Sequence, residues 1–86
     1  MSVEVRCEAD GEGYRCTVEV SDGRSTTHHV VRVTSQDFER WARGRLPEEL
    51  VRDSLNFLLA RESKESILKE FDLSVIERYF PDYDGA

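Results

Sequence analysis

The sequence predicts an α+β fold, with a three-stranded antiparallel β-meander packed on one face by C-terminal helices. Three observations support this class. Apolar and polar residues alternate over residues 2–8 and 14–20, the period-two pattern of half-buried strands. Asp22-Gly23 then separates the second strand from a β-branched run over residues 25–33, which is typical of a hairpin turn. From Thr34 onward the apolar residues follow a helical period.

The strand registers follow from the apolar face and the turn. The alternating pattern pairs the first two strands with Cys7 opposite Cys16, because a slip of one residue would set apolar residues against charges. A two-residue turn at Asp22-Gly23 then predicts Cys16 opposite His29 and Val18 opposite Thr27. The other face of the meander is charged and should meet water. That face carries His28, Val30 and Arg32.

Four helices are predicted after the meander. Their ranges are residues 35–43, 47–61, 64–70 and 73–80. Thr34 is a suitable N-cap for the first helix, Pro47 suits the first turn of the second, and Pro81 ends the last. Residues 1–86 form one domain, and the acidic stretch 82–86 is predicted to be a flexible tail.

The second helix should be the centre of the fold. Its apolar residues spread over roughly 220° of the helical circumference, whereas a surface helix shows a stripe of just over ~100°. It must therefore be covered on more than one side, and Ser54 falls inside the apolar arc. The residues expected in the core are Leu46, Leu50, Val51, Leu55, Phe57, Leu58 and Leu59.

The net charge of −6 argues against a general nucleic-acid binder and against docking on anionic membranes. No apolar run approaches the ~20 residues of a membrane span, and no basic segment precedes an apolar one as in a secretion signal. These features predict a cytoplasmic protein. The sequence contains no glycine-rich phosphate loop and no Ser-His-Asp order, and no cofactor is expected.

Cys7, Cys16 and His29 align across the three predicted strands on the inward face. Cysteine and histidine are the usual ligands of zinc, but a fourth ligand at familiar spacing is missing. A disulfide between Cys7 and Cys16, a nucleophilic Cys–His pair, and two buried thiols beside a hydrogen-bonded histidine are the alternatives. A nucleophilic pair would need access to solvent, whereas this face should lie under the helices. A small thiol- or metal-dependent enzyme that uses these three residues stays an alternative function.

Three surfaces are candidates for binding a protein partner. The strand over residues 25–33 is predicted to be an edge with little charge, which could pair with a second copy or be covered by another segment. An arginine patch around the first interhelical turn suits an acidic partner, or alternatively nucleic acid. The C-terminal aromatic run could pack on the central helix or dock a partner. The patch contains Arg40, Arg43, Arg45 and Arg52 with Trp41, and the aromatic run ends in Tyr79, Phe80 and Tyr83.

The same C-terminal run resembles a known ending. The residues Phe71-Asp72-Leu73-Ser74, Ile76 and Tyr79-Phe80-Pro81 form the pattern F-D-L-S-x-I-x-x-Y-F-P. This pattern is similar to the ending of a group of small uncharacterised bacterial proteins. The resemblance implies a bacterial origin and no particular activity. Because catalytic motifs are missing and a core this thin leaves little room for a substrate pocket of ~300 Å³, the sequence favours a non-catalytic protein that acts by binding another protein.

Overall fold

A computed structural model describes residues 1–86 and has the predicted α+β fold. The meander is formed by β1 (Ser2–Asp10), β2 (Gly13–Ser21) and β3 (Thr26–Val33). The helices α1 (Ser35–Trp41) and α2 (Pro47–Leu59) follow. The chain then forms a 3-10 turn (Lys64–Ser66), a short strand β4 (Glu70–Asp72) and the helix α3 (Val75–Tyr79). None of the helices is long and apolar enough to cross a membrane.

The first predicted register is confirmed and the second is wrong by two residues. Cys7 faces Cys16 as expected, but Cys16 faces Val31 and Val18 faces His29. A shift by two keeps every side chain on its predicted face because the side-chain period of a strand is two. Cys16 and His29 therefore lie on the same face of the sheet, as predicted, but they are not opposite each other.

The cause of the shift is the length of the turn between β2 and β3. Four residues, Asp22 to Ser25, connect the last paired residues of the two strands. The Asp22 carboxylate accepts hydrogen bonds from the backbone N–H groups of Ser25 (3.0 Å) and Arg24 (2.9 Å). These bonds hold the pKa of Asp22 well below its usual range. Asp22 thus organises a wider turn than an Asp-Gly pair alone predicts.

The predicted helix over residues 64–70 is wrong beyond the 3-10 turn at Lys64–Ser66. Of the two alternatives for the strand over residues 25–33, an open edge or an edge covered by another segment, the structure shows the second over Val30–Arg32. The sheet order is β1-β2-β3-β4, and β4 runs parallel to β3, opposite Val30–Arg32. Glu70 and Asp72 alternate with buried residues, which is a strand pattern, and both carboxylates bind Arg32. The edge of β3 is therefore covered along its second half.

The apolar face of the sheet is covered mainly by α2, which lies over β1. The predicted core positions of α2 are buried or half-buried, with one exception. Leu46 is the N-cap residue and its side chain is 64% exposed, because the helix begins at Pro47 and turns Leu46 outward. The first turn is closed by Glu49, whose carboxylate accepts a hydrogen bond from the Leu46 N–H (2.8 Å).

The segment predicted as a flexible tail, residues 82–86, is packed against α1 and α2. Tyr83 is buried, with its ring 5.0 Å from that of Trp41 and 5.2 Å from that of Phe57. The Arg45 guanidinium donates to the Gly85 carbonyl oxygen at 2.8 Å. The C-terminal segment thus covers the second side of α2 and belongs to the core.

The Tyr83 hydroxyl is bonded to the one polar residue inside the apolar arc of α2. Ser54 donates to the Leu50 carbonyl oxygen (2.8 Å), so the Tyr83 hydroxyl must donate to the Ser54 oxygen (2.7 Å). Burial raises the pKa of Tyr83 to about 12, because the phenolate would lose contact with water. The hydrogen bond explains why a serine is tolerated at a fully buried position.

Replacing Gly85 with alanine should destabilise the protein more than replacing Gly11 with alanine. Both glycines have a left-handed φ, but a Cβ at Gly85 would lie 2.7 Å from the Cβ of Trp41, whereas a Cβ at Gly11 meets nothing. We expect a loss of about 1 kcal/mol from backbone strain in Gly11→Ala and a further 1–3 kcal/mol or so from the clash in Gly85→Ala. Equal losses, measured by denaturant unfolding, would mean that the C-terminal segment does not pack on Trp41.

Alkaline pH should weaken the fold through Tyr83. The folded pKa of about 12 lies above the ordinary value of 10.0, so the unfolded chain releases the phenol proton first as pH rises. The stabilisation is complete below pH 10 and is lost between about pH 10 and 12, amounting to roughly 2–3 kcal/mol. Unfolding of the wild type and of Tyr83→Phe, followed by circular dichroism from pH 8 to 12, should show a loss that is larger in the wild type by about this amount, because the raised pKa of Lys64 contributes an alkaline loss to both proteins.

Candidate protein-binding groove

The segment after α2 forms one side of the candidate groove, and polar contacts hold this segment against the sheet. The ammonium group of Lys64 is buried between the turn and the 3-10 segment, where it donates to Ser25 (2.7 Å) and lies 3.0 Å from the Asp22 carboxylate. Its closest partner is the Glu65 carboxylate, and this contact raises the pKa of Lys64 and lowers that of Glu65. Lys64 therefore fastens the start of the segment to the β2–β3 turn.

Further along, His29 and Val30 hold the same segment by its backbone. His29 Nδ1 lies 2.8 Å from the carbonyl oxygen of Leu68, which has no hydrogen, so Nδ1 is the donor. Nε2 of the same ring is hydrogen-bonded to the Thr27 hydroxyl (2.9 Å). The N–H of Val30 donates to the Lys69 carbonyl oxygen at 2.7 Å. These bonds give His29 a structural role on the apolar side of the sheet.

An apolar groove of about 280 Å³ opens between the end of α2, the segment before β4, and α3. Its floor is buried: Leu58, Ile67, Phe71 and Ile76 are each no more than 5% exposed. Its rim carries two large apolar side chains that meet solvent, Leu68 at 49% and Tyr79 at 67% exposed. The remaining lining residues are Glu62, Ser66, Val75 and Phe80.

An aromatic stack supports one wall of the groove. The rings of Phe57 and Phe80 meet edge to face at 6.0 Å, and the Arg61 guanidinium lies 3.5 Å from the centre of the Phe57 ring. Arg61 also donates to the Phe57 carbonyl oxygen at 2.9 Å. The wall is thus held by packing within the chain, which leaves Tyr79 as its exposed member.

Of the predicted aromatic docking residues, Tyr79 and Phe80 line the groove, whereas Tyr83 and Trp41 lie in the core. Tyr83 and Trp41 therefore offer no surface to a partner. Sequence reasoning did not single out Leu68 or Val75, because it treated residues 64–70 and 73–80 as two helices and so missed the strand between them. The alternation of Glu70, Phe71, Asp72 and Leu73 was the signal that could have revealed β4.

The other predicted binding residues lie away from the groove. His28 is on the charged face of the sheet, 3.3 Å from the Glu19 carboxylate, and Val30 is half-buried on the same face. Arg32 is held by Asp72 at 2.9 Å and by Glu70. His28 and Arg32 are therefore engaged by carboxylates of the same sheet, and none of the three residues lines the groove.

The arginine patch is largely neutralised inside the chain. Arg40 lies 3.0 Å from the Asp37 carboxylate, and Arg43 lies 3.5 Å from that of Asp84. Arg45 binds Asp53 at 2.7 Å. Arg52 is exposed and forms no ion pair. The patch therefore presents one unpaired arginine where the sequence suggested four.

Cys7 and Cys16 form a disulfide across β1 and β2. This is one of the pairings that the sequence left open. The zinc and nucleophile alternatives both required free thiols with His29 beside them, and His29 lies opposite Val18 instead. The cytoplasmic location stays a prediction, and in a reducing cytoplasm the two cysteines would be free thiols.

Comparison of the chain with known protein families, with curated proteins and with solved structures finds no match. The resemblance of the C-terminal pattern to small bacterial proteins therefore stays a prediction. The residues of that pattern have structural positions: Phe71, Leu73 and Ile76 are buried, and Tyr79 and Phe80 line the groove.

Reduction of the disulfide should destabilise the protein without unfolding it. The loop that Cys7 and Cys16 close is short, with a sequence separation of 9. Its closure entropy corresponds to about 2–3 kcal/mol. We expect denaturant unfolding of Cys7→Ala/Cys16→Ala to show a loss of that size, and the wild type to show a similar loss in dithiothreitol. A wild-type curve that dithiothreitol leaves unchanged would contradict the disulfide.

Proposed function

We propose that this protein is a non-catalytic binding module that holds an amphipathic segment of another protein in the groove beside α3. The observation that carries the proposal is the pair of exposed apolar residues, Leu68 and Tyr79, on the rim of a groove with a buried apolar floor. Exposed apolar patches with a shaped floor are typical of interaction sites.

The lining favours a side chain of a partner protein over a small substrate. The groove, at about 280 Å³, lies at the lower end of ordinary ligand sites (~300–1,000 Å³), and beside the Tyr79 hydroxyl its polar residues are Glu62 and Ser66. These residues supply few of the convergent polar groups that orient a substrate. A groove of this size suits one or two large apolar anchors from a helix.

Charge selects the kind of segment that fits. Glu62 lines the groove and forms no ion pair within the chain, and the whole protein carries a net charge of −6. An anchor flanked by lysine or arginine would pair with Glu62, whereas an acidic segment would be repelled. We therefore propose a basic amphipathic helix as the occupant.

The nucleic-acid alternative has less support. A phosphate backbone would compete for Arg40, Arg43 and Arg45 with carboxylates that already bind them. The enzyme alternative would need Cys7 and Cys16 as thiols with His29 opposite them, whereas the two cysteines are joined and His29 lies opposite Val18. No observation favours either alternative over the groove.

Selection from a random helical peptide library on the immobilised protein tests the proposal. We expect enriched peptides to carry large apolar residues three or four positions apart together with lysine or arginine. Leu68→Ser should weaken their binding by roughly tenfold or more, since a buried anchor contact contributes above 1 kcal/mol. Glu62→Gln should weaken binding less than Leu68→Ser does. Its effect should be larger at low salt than at high salt, because salt screens the charge that it removes.

Leu46→Ser is the matched control, because Leu46 is another exposed leucine, 64% exposed, outside the groove. It should bind the selected peptides as the wild type does. Peptides that bind Leu68→Ser and the wild type equally would refute the groove as the site. Enrichment of acidic peptides would refute the proposed occupant.

A further inference from the structure

The sheet ends at β1 and at β4, and β1 is the long open edge because β4 has only three residues. The backbone of β1 is hydrogen-bonded to β2 and to no other part of the chain. An open edge of nine residues is a template for pairing with another strand. The prediction of an edge that pairs with a second copy thus moves from β3 to β1.

The outward backbone groups of β1 follow from the hydrogen bonds at the other side of the sheet. Val30 donates towards β4, so even-numbered residues of β3 face β4 and odd-numbered residues bond to β2. Through the two registers, the odd-numbered residues of β2 then bond to the even-numbered residues of β1. The N–H and C=O groups of Val3, Val5 and Cys7 therefore point away from the sheet.

A second observation agrees with this assignment. The Cα atoms of Cys7 and Cys16 are 4.0 Å apart, which suits a pair that does not exchange backbone hydrogen bonds. In addition, the Thr17 hydroxyl reaches the Arg6 carbonyl oxygen (3.4 Å), so Arg6 faces β2. Both contacts leave the odd-numbered residues of β1 as the open ones.

We infer that β1 pairs antiparallel with β1 of a second copy, around a twofold axis at Val5. In this register Val5 faces Val5, Val3 faces Cys7, and Glu4 faces Arg6 in both directions. Val3, Val5 and Cys7 exchange the backbone bonds that are otherwise open. Antiparallel self-pairing satisfies both copies equally, as a closed dimer requires.

The charges of β1 select this register over its neighbours. Glu4 and Arg6 are exposed and form no ion pairs within the chain. The residue opposite Glu4 on β2 is Glu19, which has the same charge. An axis at residue 4 would oppose Glu4 to its own copy, and an axis at residue 6 would oppose Arg6 to its own copy. With the axis at Val5, each Glu4 lies at a non-hydrogen-bonded position opposite Arg6, where side chains approach most closely.

The pairing also covers apolar surface. The twofold axis stands perpendicular to the joined sheet, so the α2 helices of both copies lie on the same face. Val3 and Cys7 are half-buried in one chain and pack against its core. In the dimer they would lie between the two α2 helices. The apolar cores of the two copies would then be in contact with each other.

Charge reversal tests the register. Light scattering after gel filtration should give the wild type the mass of two chains at about 100 µM. Glu4→Arg and Arg6→Glu each place two like-charged pairs at the interface, which should weaken dimerisation roughly tenfold or more. An equimolar mixture of the two variants should recover dimers, because every arginine at these positions of one variant then lies opposite a glutamate of the other.

Glu39→Arg is the control, because it makes the same charge change at an exposed residue of α1 that forms no ion pair. It should dimerise as the wild type does. A wild type with the mass of one chain at that concentration overturns the inference. Failure of the mixed variants to associate, with unchanged circular dichroism spectra, overturns the register. The groove proposal is tested separately, since peptide binding involves none of these positions.

Discussion

The fold depends on covering the apolar surface of α2 from two sides. The sheet covers one side, and a sheet alone would leave the side that carries Ser54 and Phe57 in water. The C-terminal segment supplies the second cover through Tyr83, whose ring packs on Phe57 and whose hydroxyl bonds to Ser54. In a chain of 86 residues the core is small, so the loss of one such cover would expose a large share of it.

The segment that leads from α2 back to the sheet is held by ion pairs as well as by apolar packing. Lys64 fastens the start of the returning segment to the β2–β3 turn, and Arg32 fastens β4 through Glu70 and Asp72. His29 and Val30 bind the backbone between these points. Because the segment is fixed at both ends, Leu68 is exposed above a buried floor, and the groove is a direct result of this path.

The two proposed binding surfaces lie on different parts of the molecule. The open edge at β1 is at one end of the sheet, and the groove is built from the segment that borders the other end. Pairing through β1 would leave both grooves open, so a dimer would hold two identical sites. Two sites on one assembly increase the effective affinity for a partner that carries repeated segments.

Sequence alone determined the α+β class, the β1–β2 register and the buried face of α2, because each depends on a local period that is repeated over many residues. Within the site, it also pointed to Tyr79 and Phe80, although it could not distinguish them from Tyr83 and Trp41. All four are aromatic residues in or near helices, and an aromatic residue can serve either as core or as a docking surface. What separates them is the packing of residues distant in the chain.

Only the tertiary structure decided the pairing of β4 with β3, the four-residue turn and the burial of Tyr83. Residues 64–70 fit a helix locally, and the strand that follows is chosen by contacts with Arg32 and Val30, about forty residues earlier. The turn is widened by the Asp22 carboxylate, which also reaches Lys64. The alternation of Glu70, Phe71, Asp72 and Leu73 can indicate a strand but not which strand it pairs with. The long-range hydrogen bonds and ion pairs that choose β3 leave no periodic pattern in the sequence, which is why the groove could be located only once the fold was known.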